Sequence, residues 1–209
     1  MLELFSQWGM PKAIRTDNGA PFGVPTRDVI PMMSLWLKAW GIEPILNRPK
    51  MPTDNPNVEN NQHTSARWAE VYQCQDIQQM EQQLDEAALI QRDHFKVSRI
   101  GNVTRKQLYK RLYNNPRKFD SIQFNPQLAY ELLQKAKYPR KISANGSIVI
   151  YDKAFSVGQK FKGQITILTF LPKKLSWVCK NQRGEILKVL KDTRFSKKNL
   201  LSLLVCQRT

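Results

Sequence analysis

Trp8-Gly9-Met10-Pro11-Lys12-Ala13-Ile14-Arg15-Thr16-Asp17-Asn18-Gly19-Ala20-Pro21-Phe22 is the stretch on which the reading of this chain turns. Residues 2–8 have the pattern of a helix end, which Gly9 and Pro11 stop. Residues 12–16 then read as a short strand running into Asp17-Asn18-Gly19. Asp/Asn-Gly is the usual hairpin turn, but a hairpin needs a strand on each side. After Gly19 the chain continues as Ala-Pro-Phe-Gly-Val-Pro, whose prolines do not suit a central strand. The other reading is a strand end opening into a loop, with Asp17 at the carboxyl edge of a sheet, where ligands and metal ions often bind. The residues alone leave both readings open.

Outward from this stretch the chain changes character twice. Eight of the twelve prolines fall between Pro11 and Pro56, which predicts short elements joined by rigid turns. Residues 32–40 read as a helix, with Met32, Leu35, Trp36 and Trp40 on one side and Gly41 as its stop. Residues 42–46 read as a strand that Pro44 confines to an edge. Asp54 or Asn55 then caps a helix with Pro56 at its first position. Asp76 with Gln79, and Thr104 with Gln107, have capping-box spacing. Ile77, Met80, Leu84, Ala87 and Ala88 form the apolar stripe expected of the helix after Asp76. Asn125-Pro126 opens another, with Leu128, Leu132, Leu133 and Ala136 on one side. Near residue 140 helical periodicity gives way to short runs, SIVIY, AFSV, QITILTF, LSWVCK and EILKVL. The turn signals Asn145-Gly146, Asp152-Lys153 and Arg183-Gly184 separate them. Five short strands at this spacing predict a small closed β-barrel.

Charge separates the chain along its length. The 209 residues carry 33 basic and 17 acidic side chains, a net of +16. Residues 1–95 hold 8 basic and 12 acidic residues, and residues 96–209 hold the other 25 and 5. A half with that excess is expected to sit on a polyanion, DNA or RNA, rather than serve only for solubility. An apolar fraction of 41% with 24% charged residues describes a globular chain rather than a disordered one. No run approaches the roughly 18 apolar residues of a membrane span, and no signal peptide is visible at the start. A cytoplasmic location without a membrane partner is the expectation.

Few other residues suggest chemistry. Glu59, His63 and Arg67 recur at four-residue intervals and share one helical face. They read either as a functional stripe or as a solvated face with an acid near the positive end of the helix dipole. Val58, Ser65, Ala69 and Tyr72 lie on another face, suited to packing. The two histidines, His63 and His94, have no cysteine at zinc-ligand spacing. Cys74, Cys179 and Cys206 fit neither a disulfide framework nor a metal site. Glycine-rich phosphate loops and serine-nucleophile motifs are absent from the sequence.

Taken together, the run from Trp8 to Phe22, then Leu35-Trp36-Leu37, Trp40-Gly41-Ile42, Arg48-Pro49, Pro52, Asn55 and Val58-Glu59, resembles insertion-sequence transposases with a retroviral-integrase-type (DDE) core. The resemblance covers about residues 1–100, and the basic tail is similar in architecture to the small barrel after the core of Mu-type transposases. It implies a ribonuclease-H-like α/β core in which two aspartates and a glutamate hold two Mg²⁺ ions for DNA strand transfer. Asp17 matches the second aspartate and Glu59 the glutamate, as catalytic and metal-binding residues. Asn18, His63 and Arg67 are the candidates for nucleic-acid contacts. The 41 residues between Asp17 and Glu59 exceed the family's usual interval, an excess assigned to the loop at 23–31, and Pro56 stands where the family often has Gly. The first aspartate and the first three strands would lie before residue 1. The expectation is therefore the carboxyl-terminal part of a transposase, truncated or split and inactive alone. Its organisation is an incomplete ribonuclease-H-like α/β core at 1–100, a helical connector at 101–140 and a small all-β barrel at 141–209. Implied partners are DNA, as mobile-element ends and target, and the missing amino-terminal half or other transposase subunits, in a bacterial, nucleoid-associated setting. The alternative is a non-catalytic basic DNA- or RNA-binding protein.

Overall fold

Two four-residue strands paired in parallel set the architecture around Asp17. The structure, a computed structural model, describes residues 1–17, 19, 21–22, 29–48 and 56–203, and the side chains of all of these except 56–59 and 112. In chain order the helices and strands begin with α1 (Leu2–Trp8), β1 (Ala13–Thr16), α2 (Met32–Ala39), β2 (Glu43–Leu46), α3 (Pro56–Trp68) and α4 (Ile77–Leu89). The short elements β3 (Lys96–Val97), β4 (Val103–Thr104) and α5 (Arg105–Leu108) come next, then α6 (Pro126–Lys135). The carboxyl-terminal part holds β5 (Tyr138–Lys141), β6 (Ser147–Ile150), β7 (Lys153–Ser156), β8 (Ile165–Leu171), β9 (Ser176–Lys180), β10 (Ile186–Lys191) and α7 (Lys197–Leu201). The chain groups into two compact units that interleave in sequence, residues 1–11 with 50–119, and residues 12–49 with 120–209.

In the first unit, α1 is tied to residues 113–117. The Asn115 amide donates to the Trp8 carbonyl at 3.1 Å, Met10 N–H to Arg117 O at 2.8 Å, and the Arg117 guanidinium to Pro11 O at 2.7 Å. Trp8 meets Tyr113 edge-on, and the Arg92 guanidinium lies 5.0 Å over the Trp8 ring. Asp93 anchors this cluster. It accepts from Arg92 at 2.8 Å, Tyr113 at 2.7 Å and Lys106 at 3.2 Å. The bonds from Arg92 and Tyr113 hold its carboxyl well below the usual range. Thr104 and Gln107 form the reciprocal capping box at the start of α5. Asp76 accepts the Gln79 N–H at 2.7 Å, but Gln79 bonds the Gln75 N–H rather than closing a box on Asp76. The expected apolar stripe of α4 is only partly covered, since Ala87 is buried while Ile77 and Ala88 are exposed.

In the second unit, β1 and β2 pair in parallel from Ala13 opposite Glu43 to Thr16 opposite Leu46, with α2 as the crossover. Met33, Leu35, Trp36, Leu37 and Ala39 of α2 are all buried, more than one face of a surface helix would supply. Part of that cover is α6, whose cap residue Asn125 donates its N–H to Ala39 O at 2.9 Å while Phe124 meets Trp40 edge-on. The buried side of α6 is Ala129, Tyr130 and Leu133; of the expected row Leu133 is buried, while Leu128, Leu132 and Ala136 are half-buried. Tyr130 continues into the carboxyl-terminal sheet, where its hydroxyl donates to Phe195 O at 2.6 Å.

That sheet corrects the barrel. It is an open four-stranded antiparallel sheet in the order β10-β9-β8-β5, with β6 and β7 as a separate hairpin. Closure would require β10 to pair with β5. Strand β5 has only four residues, and its Pro139 lacks the N–H a further ladder needs, which suits an edge. The hairpin turns at Tyr151-Asp152, both left-handed, one position before the turn read from the sequence. Beneath the sheet Trp177 has no exposed surface and is ringed by Tyr138, Tyr151, Phe170 and Phe195. Asp192 is also fully buried. It accepts from Trp177 Nε1 at 3.1 Å and from Arg194 Nε and Nη2 at 2.8 and 2.7 Å. Arg194 in turn donates to the carbonyls of Ile150 and Tyr151, fastening the hairpin to the sheet.

Candidate nucleic-acid interface

Asp17 directly follows the last residue of β1, so the reading as a strand end holds and the hairpin does not. The next element in β1's sheet is the parallel strand β2, and Asn47 N–H donates to Thr16 O at 2.9 Å. Both strands therefore end at one edge, the carboxyl edge, with Asp17 exposed there. Its Oδ1 accepts the Gly19 N–H at 3.3 Å. Asn18 and most of the loop at 23–31 lie outside the described residues. Glu59 falls in the first turn of α3, but its side chain is outside the description, as are Asp54 and Asn55 before it. Asp17 belongs to the second unit and Glu59 to the first.

His63 and Arg67 come together. With Ala66, Glu70, Tyr72 and Gln73 they line one cavity of about 370 Å³. The expected packing role of Tyr72 is overturned, for its side chain is almost wholly exposed at 96%. The cause is local. Helix α3 ends at Trp68, and Glu70 takes a left-handed backbone with φ of +47°. Residues 71–73 then form a tight turn that carries Tyr72 away from the α3 face. Nothing in the sequence marks Glu70 for that conformation, because glycine or asparagine is the usual occupant.

Metal-binding chemistry is not assembled by what the structure describes. Among the described residues no three His, Cys, Asp or Glu side chains form a group able to hold an ion. Asp17, turned to its own loop, is a single hard ligand, so the described residues do not fit a Mg²⁺ site. Cys74 and Cys179 are free, and burial pushes the Cys179 thiol up to about 11, which makes it inert.

Positive charge is concentrated toward the carboxyl-terminal part of the chain. Residues 120–209 carry 17 basic and 5 acidic side chains. Three of those acids are engaged internally, Asp120 at the Ile122 N–H, Glu185 at the Asn181 amide and Asp192 at Arg194. Exposed lysines such as Lys173, Lys174, Lys188 and Lys191 make no ion pair among the described residues. Two more, Lys141 and Lys162, flank an open cavity of about 500 Å³ with Ile142, Ser143, Ala144 and Gly163. Backbone bonds from Ile142 N–H to Gln164 O and from Gly163 N–H to Ile142 O, each 2.9 Å, hold its walls. Among the described residues no carboxylate lines it. Among the described residues no helix is long and apolar enough to cross a membrane. No protein-family model matches this chain, and no curated protein matches it.

Proposed function

We propose that this chain binds DNA as part of a transposase of insertion-sequence type with a retroviral-integrase-like core. The observation that supports this best is the order β1–α2–β2–α3 with an acid at each of two places. Asp17 follows β1 at the carboxyl edge of a parallel pair, and Glu59 lies in the first turn of the next long helix. The resemblance assigns the second aspartate and the glutamate of such a core to these two residues. Strand transfer in that family depends on Mg²⁺. The described residues assemble no site for the ion, and no chemical step is assigned to them.

Holding DNA is the role this chain's own residues support. Unpaired lysine ammonium groups spaced over the sheet and its loops present point charges to phosphates, and each phosphate neutralised releases condensed counterions. Such contacts position a duplex without reading its sequence. The test is a titration of the full chain with a short DNA duplex over a range of salt concentrations. The logarithm of affinity is expected to fall with the logarithm of salt by about 0.9 for each phosphate contacted. A salt-independent affinity, or none, removes the proposal. Displacement of the DNA by a lower concentration of double-stranded RNA points instead to the non-catalytic RNA-binding reading.

A further inference from the structure

We propose that the cavity at the end of α3 holds one unpaired nucleobase, stacked on Tyr72, with Arg67 against an adjoining phosphate. This rests on the DNA-binding reading above and adds a class of ligand and a place for it. Three observations converge. The Tyr72 ring is 96% exposed beside a cavity of about 370 Å³, large enough for a single base. The lining mixes polar groups of His63, Arg67, Glu70 and Gln73 with apolar surface from the Tyr72 ring, the side-chain stems and Ala66, the combination a flat base with a polar edge needs. The turn that exposes Tyr72 depends on Glu70 at φ +47°, a left-handed conformation that is unfavourable for a residue with a Cβ. Strained backbone that persists beside a cavity is a pointer to function.

The chemistry of the lining selects the ligand. A pocket for a protein side chain would be built of aliphatic and aromatic walls. Here a carboxylate, a carboxamide and an imidazole offer both acceptors and donors, the pattern needed to meet the edge of a base. The guanidinium of Arg67 makes no ion pair with Glu70 among the described contacts and is exposed, so it remains available to a phosphate. A paired base inside a duplex does not reach such a pocket, whereas an unpaired one pays little to leave the stack. The ligand is therefore a DNA strand with an unpaired nucleotide.

The test compares two probes by fluorescence anisotropy with the full chain, a fully paired duplex and the same duplex carrying a single unpaired thymine. The wild-type chain is expected to bind the second more tightly by roughly 5- to 100-fold, the range set by one base stacked on one ring. Tyr72→Ala should erase that preference while leaving affinity for the paired duplex and the thermal midpoint unchanged, since the side chain it removes is uncovered. Tyr72→Phe should keep the preference, and Arg67→Ala should reduce it. A wild-type chain that binds both probes equally overturns the stacking site and leaves the DNA-binding proposal standing. So does a Tyr72→Ala variant that keeps the preference or weakens both probes alike. A chain that binds neither probe overturns both.

Discussion

Asp192 carries a charge with no exposed surface, and its neighbours decide whether that is tolerable. Burial acts to raise its pKa, but the bonds from Arg194 and Trp177 outweigh it and hold the carboxyl below its ordinary range. A carboxyl lowered in the folded state contributes stability that is fully present above its unfolded value, near 3.9. That contribution is lost as pH falls through the lower folded value. Asp192→Asn keeps the shape and leaves the Arg194 guanidinium without its counter-charge. Because Arg194 retains 31% exposure, the loss should fall at or below the lower end for a broken buried pair, about 2–3 kcal/mol by urea denaturation. The variant should also lose that share of the acid sensitivity, and an unchanged midpoint would show that the pair is dispensable. Gly146 offers a second case, of shape rather than charge. It sits at φ +71°, and a Cβ there would lie 2.5 Å from the Gln159 nitrogen and the Gly158 carbonyl carbon. Gly146→Ala should cost about 2 kcal/mol or more, because backbone on both sides has nowhere to move. Gly184→Ala is its control. With φ of +85° and nothing within 4 Å, it should show only the left-handed penalty of about 1 kcal/mol.

Elements follow from sequence where the signal is local and fail where it depends on a partner. The caps at Thr104 and Asn125 are local, a side-chain acceptor meeting the backbone two or three residues on, and both form. All five strand runs after residue 140 become strands for the same reason, since alternation needs only the chain itself. Their pairing does not follow. Strand β5 lies in Lys137-Tyr138-Pro139-Arg140-Lys141, which reads as a boundary, yet it forms the sheet edge beside β8 and leaves the sheet open. The buried side of α6 depends likewise on α2 and β8, which bury Ala129 and Tyr130 beside Leu133 and leave Leu128 and Leu132 only half-covered. Tyr72 escapes for a backbone reason, because helical counting continues through Glu70 where the chain has already turned. The candidate site is legible to the same degree: Asp17 at a strand end and Glu59 in a helix start are local facts, and whether the two meet is not. The proposed transposase reading requires that they do. On that reading, with Cys74 and Cys206 changed to Ser and Cys179 to Ala, the pair Asp17→Cys and Glu59→Cys should close within one chain through a short bis-thiol crosslinker. Carboxylates that serve one pair of metal ions must face each other across a few ångströms. A double variant whose thiols label independently would remove the integrase reading.

The whole molecule divides its charge as unevenly as its chain. Of the net +16, residues 12–49 and 120–209 hold +14, and the unit built from residues 1–11 and 50–119 holds +2. Duplex affinity should therefore reside in the second unit, because each ammonium brought to a phosphate releases a counterion whatever the base sequence. Lys141 and Lys162 are the sharpest place to ask, since they face one cavity that no carboxylate lines among the described residues. Two lysines that each neutralise one phosphate account for about 1.8 units of the slope of log affinity against log salt. The double variant Lys141→Ala and Lys162→Ala should lower the magnitude of that slope by about this amount, and weaken all duplex sequences alike. Lys118, an exposed lysine of the first unit, is the matched control, and Lys118→Ala should leave the slope unchanged. Neither lysine of the pair is a core residue, so both variants should melt with the wild-type chain. A double variant with an unaltered slope would move the DNA off this cavity, and an equal change on losing Lys118 would mean that the charge acts as a diffuse field rather than through placed contacts.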